Sequence, residues 1–176
     1  MDKCKALDPL ACKQLYDENA GWLYAVCMRY AGDRDLANDL LQDSFILIFE
    51  RLDSYSGTGN FKGWMRKVVV NVALTHFRKH GRRRDNVRMD EQHEDAMVDM
   101  GLMNELDHTE LTKFICGLSE GRRQVFNAYV IEGYAHKEIA EMLGISEGTS
   151  KSQLYDAKQE LKKAIEGQYA VAKKQE

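Results

Sequence analysis

The 176-residue chain has a single proline, Pro9, so beyond it no helix is interrupted on proline grounds. It holds four cysteines, Cys4, Cys12, Cys27 and Cys116, and no two form a Cys-x-x-Cys pair, which argues against structural zinc and for reduced thiols. His76 and His80 stand one helical turn apart, but no third ligand is evident and the surrounding arginines repel a cation. Neither a metal nor a cofactor is expected. No apolar run approaches the ~20 residues of a membrane span, and the opening MDKCKALDPL lacks the apolar core of a signal peptide. Direct membrane insertion is thereby disfavoured and a cytoplasmic protein is expected. Alternating apolar runs bounded by Asn-Gly or Asp-Gly turns are also missing, which leaves strands without a signal. No nucleophile, base and orienting group occur at recognisable spacing, and no phosphate loop is present, so the chain is not read as an enzyme.

What is present is helical periodicity and segregated charge. At 44% hydrophobic the chain can bury real cores, in one medium domain or two small ones. The net charge of -3 conceals two opposed blocks. From Lys62 to Arg84 there are eight cations, Lys62, Arg66, Lys67, Arg78, Lys79, Arg82, Arg83 and Arg84, and no carboxylate. From Asp85 to Glu110 nine carboxylates face Arg88 alone. Screening over a Debye length of ~8 Å lets two such blocks act on different partners.

In chain order, residues 8 to 30 read as a helix, with Tyr16, Ala20, Leu23, Cys27 and Tyr30 on one stripe that Trp22 and Val26 widen. Gly32 and Asp33 break it. A second helix is expected from about Leu36 to Leu52, with Ala37, Leu41, Phe45, Ile48 and Leu52 inward and Asp39, Gln42 and Asp43 outward. That acidic patch reads either as ordinary solvent exposure or as a docking face for a basic partner. The loop Ser56-Gly57-Thr58-Gly59-Asn60 then feeds a segment of interleaved aromatic and basic residues, taken as helical from about Phe61 to Lys79. Val68-Val69-Val70 alone would favour a strand. The spacing Phe61, Met65, Val68, Val72, sustained for several turns among helix formers, decides for helix. Its composition suits gripping phosphates and stacking on unpaired bases, although a solvated basic helix face would look the same.

Asp85 to about Asp107 is acidic, methionine-rich and free of aromatics, as a solvated connector would be, with room for a short helix around Ala96 to Leu106. As coil it would span roughly 25 Å. Helices are expected at about 109 to 117, 120 to 132, 135 to 143 and 147 to 166. Within EIAEMLGISEGTSKSQLYDAKQELKK, a short helix carries Ile139, Ala140 and Leu143 inward, Gly144 permits a left-handed turn, Ile145 plugs the core and Ser146 caps the next helix. Together these make a helix-turn-helix. Ser150, Leu154, Ala157, Leu161 and Ile165 face inward, leaving Thr149, Lys151, Ser152, Gln153, Tyr155 and Asp156 for DNA. The fold class is therefore all-α: two small helical domains, 1–84 and 109–170, joined by an acidic linker at 85–108, the second a helix-turn-helix domain, with a tail at 171–176.

As a set these segments resemble the extracytoplasmic-function (ECF) group of bacterial RNA polymerase sigma factors, over nearly the whole chain. The pieces that carry the likeness are DLLQDSF at Asp39 to Phe45, LDSYSGTGNFKGWMRKVVVNVALTHFRK at Leu52 to Lys79, and GTSKSQLYDAKQEL in the helix-turn-helix. The resemblance implies that Asp39, Leu40, Gln42 and Asp43 dock on the coiled-coil clamp helices of the polymerase's largest subunit. It implies that Tyr55, the loop Ser56 to Asn60, and Asn71 capture a flipped base of the downstream promoter element, with Trp64, Arg66 and Lys67 on the adjoining strand. Lys62 and Arg78 belong to the same melting set. Lys151, Ser152, Gln153, Tyr155 and Asp156, with Thr149, would read the upstream element. Core RNA polymerase, promoter DNA and an anti-sigma factor are the implied partners, with the chain a monomer when bound to polymerase. Five positions depart from the pattern: Ala135 stands where a capping Ser is common, Ser150 replaces an apolar residue, Gln153 and Asp156 take places that are often basic, and Ser119 replaces a proline. A duplex-DNA regulator with an N-terminal ligand or dimerisation module, or a helical interaction domain, would share some of these features.

Overall fold

A computed structural model describes residues 2–80 and 108–172. Among them the regular elements are all helical. The chain divides into two compact units, Met1–His76 and Phe77–Glu176. The acidic connector, its expected short helix, the arginines at 82–84 and the last residues of the tail lie outside the described residues.

In the first unit, α1 (Asp2–Lys5) packs on α2 (Pro9–Ala31) and on a 3-10 turn, Leu52–Ser54, while α2 packs on α3 (Arg34–Glu50). Local chemistry fixes the ends. Asp8 caps α2 by accepting from the Ala11 amide at 2.9 Å, with Pro9 in the first turn where its missing N–H is harmless. Gly32 closes α2 at φ 81° and Asp33 opens α3 by accepting from the Leu36 amide. Leu23, Val26, Cys27 and Tyr30 of α2 meet the core, as the periodicity predicts, but Tyr16 is 42% exposed. It lies at the edge of that stripe and rests its ring on Phe45, with centroids 4.6 Å apart, instead of entering the interior.

The fourth helix, α4 (Phe61–His80), is helical through the valine run. Its core face is broader than Phe61, Met65, Val68 and Val72: Met65, Val68, Val69, Val70, Ala73 and Leu74 are buried and Val72 is only half-buried. Three successive β-branched residues lose some rotamer freedom in a helix. Burial of their side chains, about 1.5–3 kcal/mol each when complete, outweighs that loss.

The second unit contains α5 (His108–Gly117), α6 (Glu120–Phe126), α7 (His136–Leu143) and α8 (Glu147–Ala172). The helix expected at 120 to 132 is α-helical only to Phe126 and continues as a π-helical stretch, Asn127–Ile131, closed by Glu132 N–H donating to the Asn127 carbonyl at 3.0 Å. Buried Arg123 donates to the carbonyls of Cys116 and Leu118 and so satisfies the end of α5. All three other helices of this unit pack on α8, whose Leu154, Ala157, Leu161 and Ile165 are buried.

Candidate nucleic-acid and partner interfaces

Three surfaces carry the expected site residues. On α3, Asp39, Gln42 and Asp43 are exposed on one side of the helix. Leu40 is not part of that surface. At 1% exposure it fills the core beside Leu41, and its carbonyl accepts from the buried Ser44 hydroxyl at 2.6 Å, so its side chain is not offered to a partner. Ile46, 51% exposed, stands one turn beyond Gln42 and Asp43 and brings an apolar group to the acidic face. Sequence reasoning did not single it out, although its offset from the Phe45–Ile48 stripe signals exposure.

The second surface is built by the glycine loop and α4. Gly57 and Gly59 take φ 76° and 87°, values a side chain would strain, and the Ser56 and Thr58 hydroxyls pair at 2.8 Å across the bend. Tyr55 donates its hydroxyl to the Gly59 carbonyl at 2.9 Å, tying the two ends of the loop together. Its ring joins Phe61 and Trp64 in a half-buried cluster: centroids are 5.0 Å apart for Tyr55–Phe61 and 5.6 Å for Tyr55–Trp64, with Phe61 stacked on Trp64 at 14°. Phe61, which the spacing sets in line with Met65, is a member of this cluster. Asn60 is occupied locally, since its carboxamide oxygen accepts from the Gly63 amide at 3.3 Å at the start of α4.

Along α4, Lys67, Asn71 and Arg78 are exposed, and at 100° per residue their directions fall within about 40° of one another. Trp64 lies alongside. The result is an exposed ridge of two cations and one carboxamide that starts from an aromatic platform. Lys62 is exposed on the first turn but points to another side of the helix, and Arg66 is half-buried. These two are not brought onto the ridge.

The third surface is the helix-turn-helix. Gly144, at φ 70° and ψ 37°, makes the left-handed turn, and Ser146 caps α8 by accepting from the Thr149 amide at 2.9 Å. Ala135 has no oxygen with which to cap α7; the partial substitute is Glu138, which accepts from the Ala135 amide at 2.8 Å. Lys151 is exposed, and Ser152 and Tyr155 are half-buried on the outer side. Thr149 spends its hydroxyl on Ser146 at 2.8 Å.

Gln153 and Asp156 face the other way. A Cβ on Gly121 of α6 would lie 3.3 Å from the Gln153 side-chain oxygen, so glycine there makes room for Gln153 against α6. Asp156 is held by Arg122 of α6 at 3.0 Å, and Glu160, one turn on, takes the same guanidinium at 2.8 Å. The hydrogen bond that Arg122 donates to Glu160 and the charge of Asp156 together push the Arg122 pKa up against the opposing effect of burial. Both side chains therefore lean on α6, with the Asp156 side chain still 39% exposed. The spacing Lys151, Tyr155, Lys158, Lys162 falls on one side of α8 within about 60°, with Lys151 and Lys162 exposed and Tyr155 and Lys158 half-buried. Lys158 and Lys162 were legible in the sequence as that i, i+4, i+7, i+11 series.

Comparison with known proteins agrees with the division into units. Sigma-70 region 2 matches residues 15–83, spanning α2 to α4, and Sigma-70 region 4 matches residues 108–161, spanning the helix-turn-helix. The chain belongs to the ECF group of sigma factors. Among curated relatives, this sigma factor is 26% identical over 153 residues to the ECF RNA polymerase sigma factor SigE of Mycolicibacterium smegmatis, covering 85% of this chain and 59% of that one. It is 24% identical to ECF sigma factor SigM of Bacillus subtilis, covering 85% of this chain and 91% of SigM. The structure of the sigma factor RpoE of Bartonella quintana, solved in complex with the anti-sigma factor NepR, aligns over 88% of this chain and 96% of that one with a TM-score of 0.50 and 24% identity, a likeness of fold. The region 2 match thus covers most of the first unit and the end of α4, and the region 4 match lies within the second unit. Among the described residues no helix is long and apolar enough to cross a membrane.

Proposed function

We propose that this sigma factor is a promoter-specificity subunit that binds core RNA polymerase, recognises two promoter elements and melts the downstream one. It is a transcription initiation factor, not an enzyme. The observation that carries the reading is the ridge Trp64, Lys67, Asn71 and Arg78 beside the tied loop, in the same chain as a helix-turn-helix whose outer side is basic.

A base taken out of the duplex loses a few kcal/mol of pairing and stacking. Stacking on a protein ring returns roughly 1–3 kcal/mol per base, and a carboxamide such as that of Asn71 offers a donor and an acceptor to the base edge. Lys67 and Arg78 add attraction to phosphate without sequence information. Binding only the open strand shifts the melting equilibrium toward open DNA with no fuel. The glycine loop contributes by shape, because Tyr55 and Asn60 are engaged within it and hold the platform in place. Lys151, Ser152 and Tyr155 read the upstream element, with Lys158 and Lys162 on its phosphates.

Asp39, Gln42 and Asp43, with Ile46 one turn beyond, form the polymerase-docking face. An anti-sigma factor, like the one bound to the Bartonella relative, holds the protein inactive by covering this face and the DNA surfaces. The site of action is the cytoplasm, where core polymerase works. The test is transcription by purified core polymerase with and without the chain, on templates selected from a random pool. Stimulation confined to a selected promoter is expected. Duplex binding without stimulation on any fragment of the source genome would instead make the chain a helix-turn-helix regulator.

A further inference from the structure

Ser150 is 0% exposed, on the first turn of the recognition helix α8, where an apolar side chain would ordinarily anchor the helix-turn-helix. Its hydroxyl is not orphaned. The Nδ1 atom of His136, the first residue of α7, lies 2.9 Å from Ser150 Oγ, so one polar pair joins the first turns of the two helices. His136 is in turn covered by Tyr129, whose ring stacks on the imidazole with centroids 4.4 Å apart and planes at 22°. Tyr129 sits on the π-helical stretch Asn127–Ile131, where the widened turn displaces side chains relative to an α-helix.

Three elements therefore converge on one imidazole. A hydrogen bond has a preferred distance and direction, whereas the apolar contact it replaces tolerates sliding. The recognition helix is only as well aimed as its first turn, since Lys151, Ser152 and Tyr155 follow Ser150 directly. We propose that His136 is a positioning residue for upstream-element recognition: clamped by Tyr129, it fixes the angle of α8 against α7 through its hydrogen bond to Ser150. This rests on the helix-turn-helix being the upstream reader.

The prediction is one of coupling. His136→Leu leaves the Ser150 hydroxyl buried without its partner, Ser150→Ala removes the hydroxyl that the imidazole meets, and the double variant removes both. Each single variant is expected to weaken binding of the selected upstream duplex by roughly tenfold, and the double variant to bind within about threefold of either single, a sub-additive pattern that marks shared action. Tyr129→Phe keeps the stack and is expected to be neutral; Tyr129→Ala is expected to resemble His136→Leu. On a template bearing only a pre-opened downstream element, all of these variants are expected to match the parent, which a general loss of folding would not allow.

Losses that multiply independently in the double variant would overturn the proposal, as would a Ser150→Ala chain that binds duplex as the parent does, because His136 would then act elsewhere, for instance on DNA directly. Denaturant unfolding of the same four chains reads the coupling without DNA, and absence of coupling there overturns it too. Failure of the functional reading is separate: the parent would then fail to stimulate core polymerase while the unfolding coupling persisted.

Discussion

Arg122→Ala tests whether Asp156 belongs to the fold or to the DNA surface. The guanidinium bridges α6 to Asp156 at 3.0 Å and Glu160 at 2.8 Å on α8, with the three side chains 36–40% exposed. Exposed pairs contribute about 0.2–1 kcal/mol each. Removing Arg122 also leaves two carboxylates at i, i+4 on α8, which repel by a few tenths of a kcal/mol. With screening, the loss is about 1 kcal/mol, or a melting shift of about 4–8 °C for a unit of this size. Thermal unfolding followed by circular dichroism should show that shift, and ~1 M salt, where the Debye length is about 3 Å, should shrink it. Asp156→Ala should lower the melting temperature by less, since Glu160 remains, and should leave affinity for the upstream duplex unchanged or slightly higher, one negative charge having gone. An Asp156→Ala chain that melts normally but binds the duplex more weakly would refute the assignment of Asp156 to the α6 contact.

Reversing the charges in Asp39→Lys/Asp43→Lys should abolish co-purification with core polymerase while helicity is retained. Leu40→Ala should instead cost about 2–5 kcal/mol of stability, because it empties a core position. Asn71→Ala should weaken capture of one single-stranded sequence by about tenfold or more. Lys67→Ala and Arg78→Ala should weaken all sequences alike, each lowering the salt slope by about 0.7, as measured by fluorescence anisotropy. Burial pushes the Cys27 thiol up to about 12 from its ordinary 9.0. The neutral thiol is the form the fold favours, so its contribution to stability is complete below pH 9 and declines as pH rises toward 12. At pH 8 a thiol reagent should label Cys27 only on unfolding, with mass spectrometry reporting the site.

Much of the fold was legible because it is written locally. The length of the periodic segment beat the β preference of Val68–Val70, and Gly32, Gly144, Asp33 and Ser146 end or begin helices where short-range chemistry requires it. The parts that escaped are set at long range. That Gln153 and Asp156 turn toward α6 depends on Gly121 and Arg122, more than thirty residues away, and nothing in the period of α8 marks those partners. Leu40 was drawn to the docking face by its place in DLLQDSF, whereas its neighbours Ala37, Leu41 and Ser44 complete a buried side wider than a single stripe. Asn60 and Tyr55 look like open ligands in sequence, yet each has a backbone partner within four residues. Ser150 looked like a thinned core contact until His136 was found against it.

The central claim is that the α4 ridge captures an opened strand. Permanganate reactivity of unpaired thymines in the downstream element measures this directly, in complexes of core polymerase with the chain on its selected promoter. The expected result is strong reactivity with the parent chain and near loss of it with Asn71→Ala/Trp64→Ala, while duplex occupancy upstream is retained. Undiminished reactivity in that variant would place strand capture elsewhere in the protein.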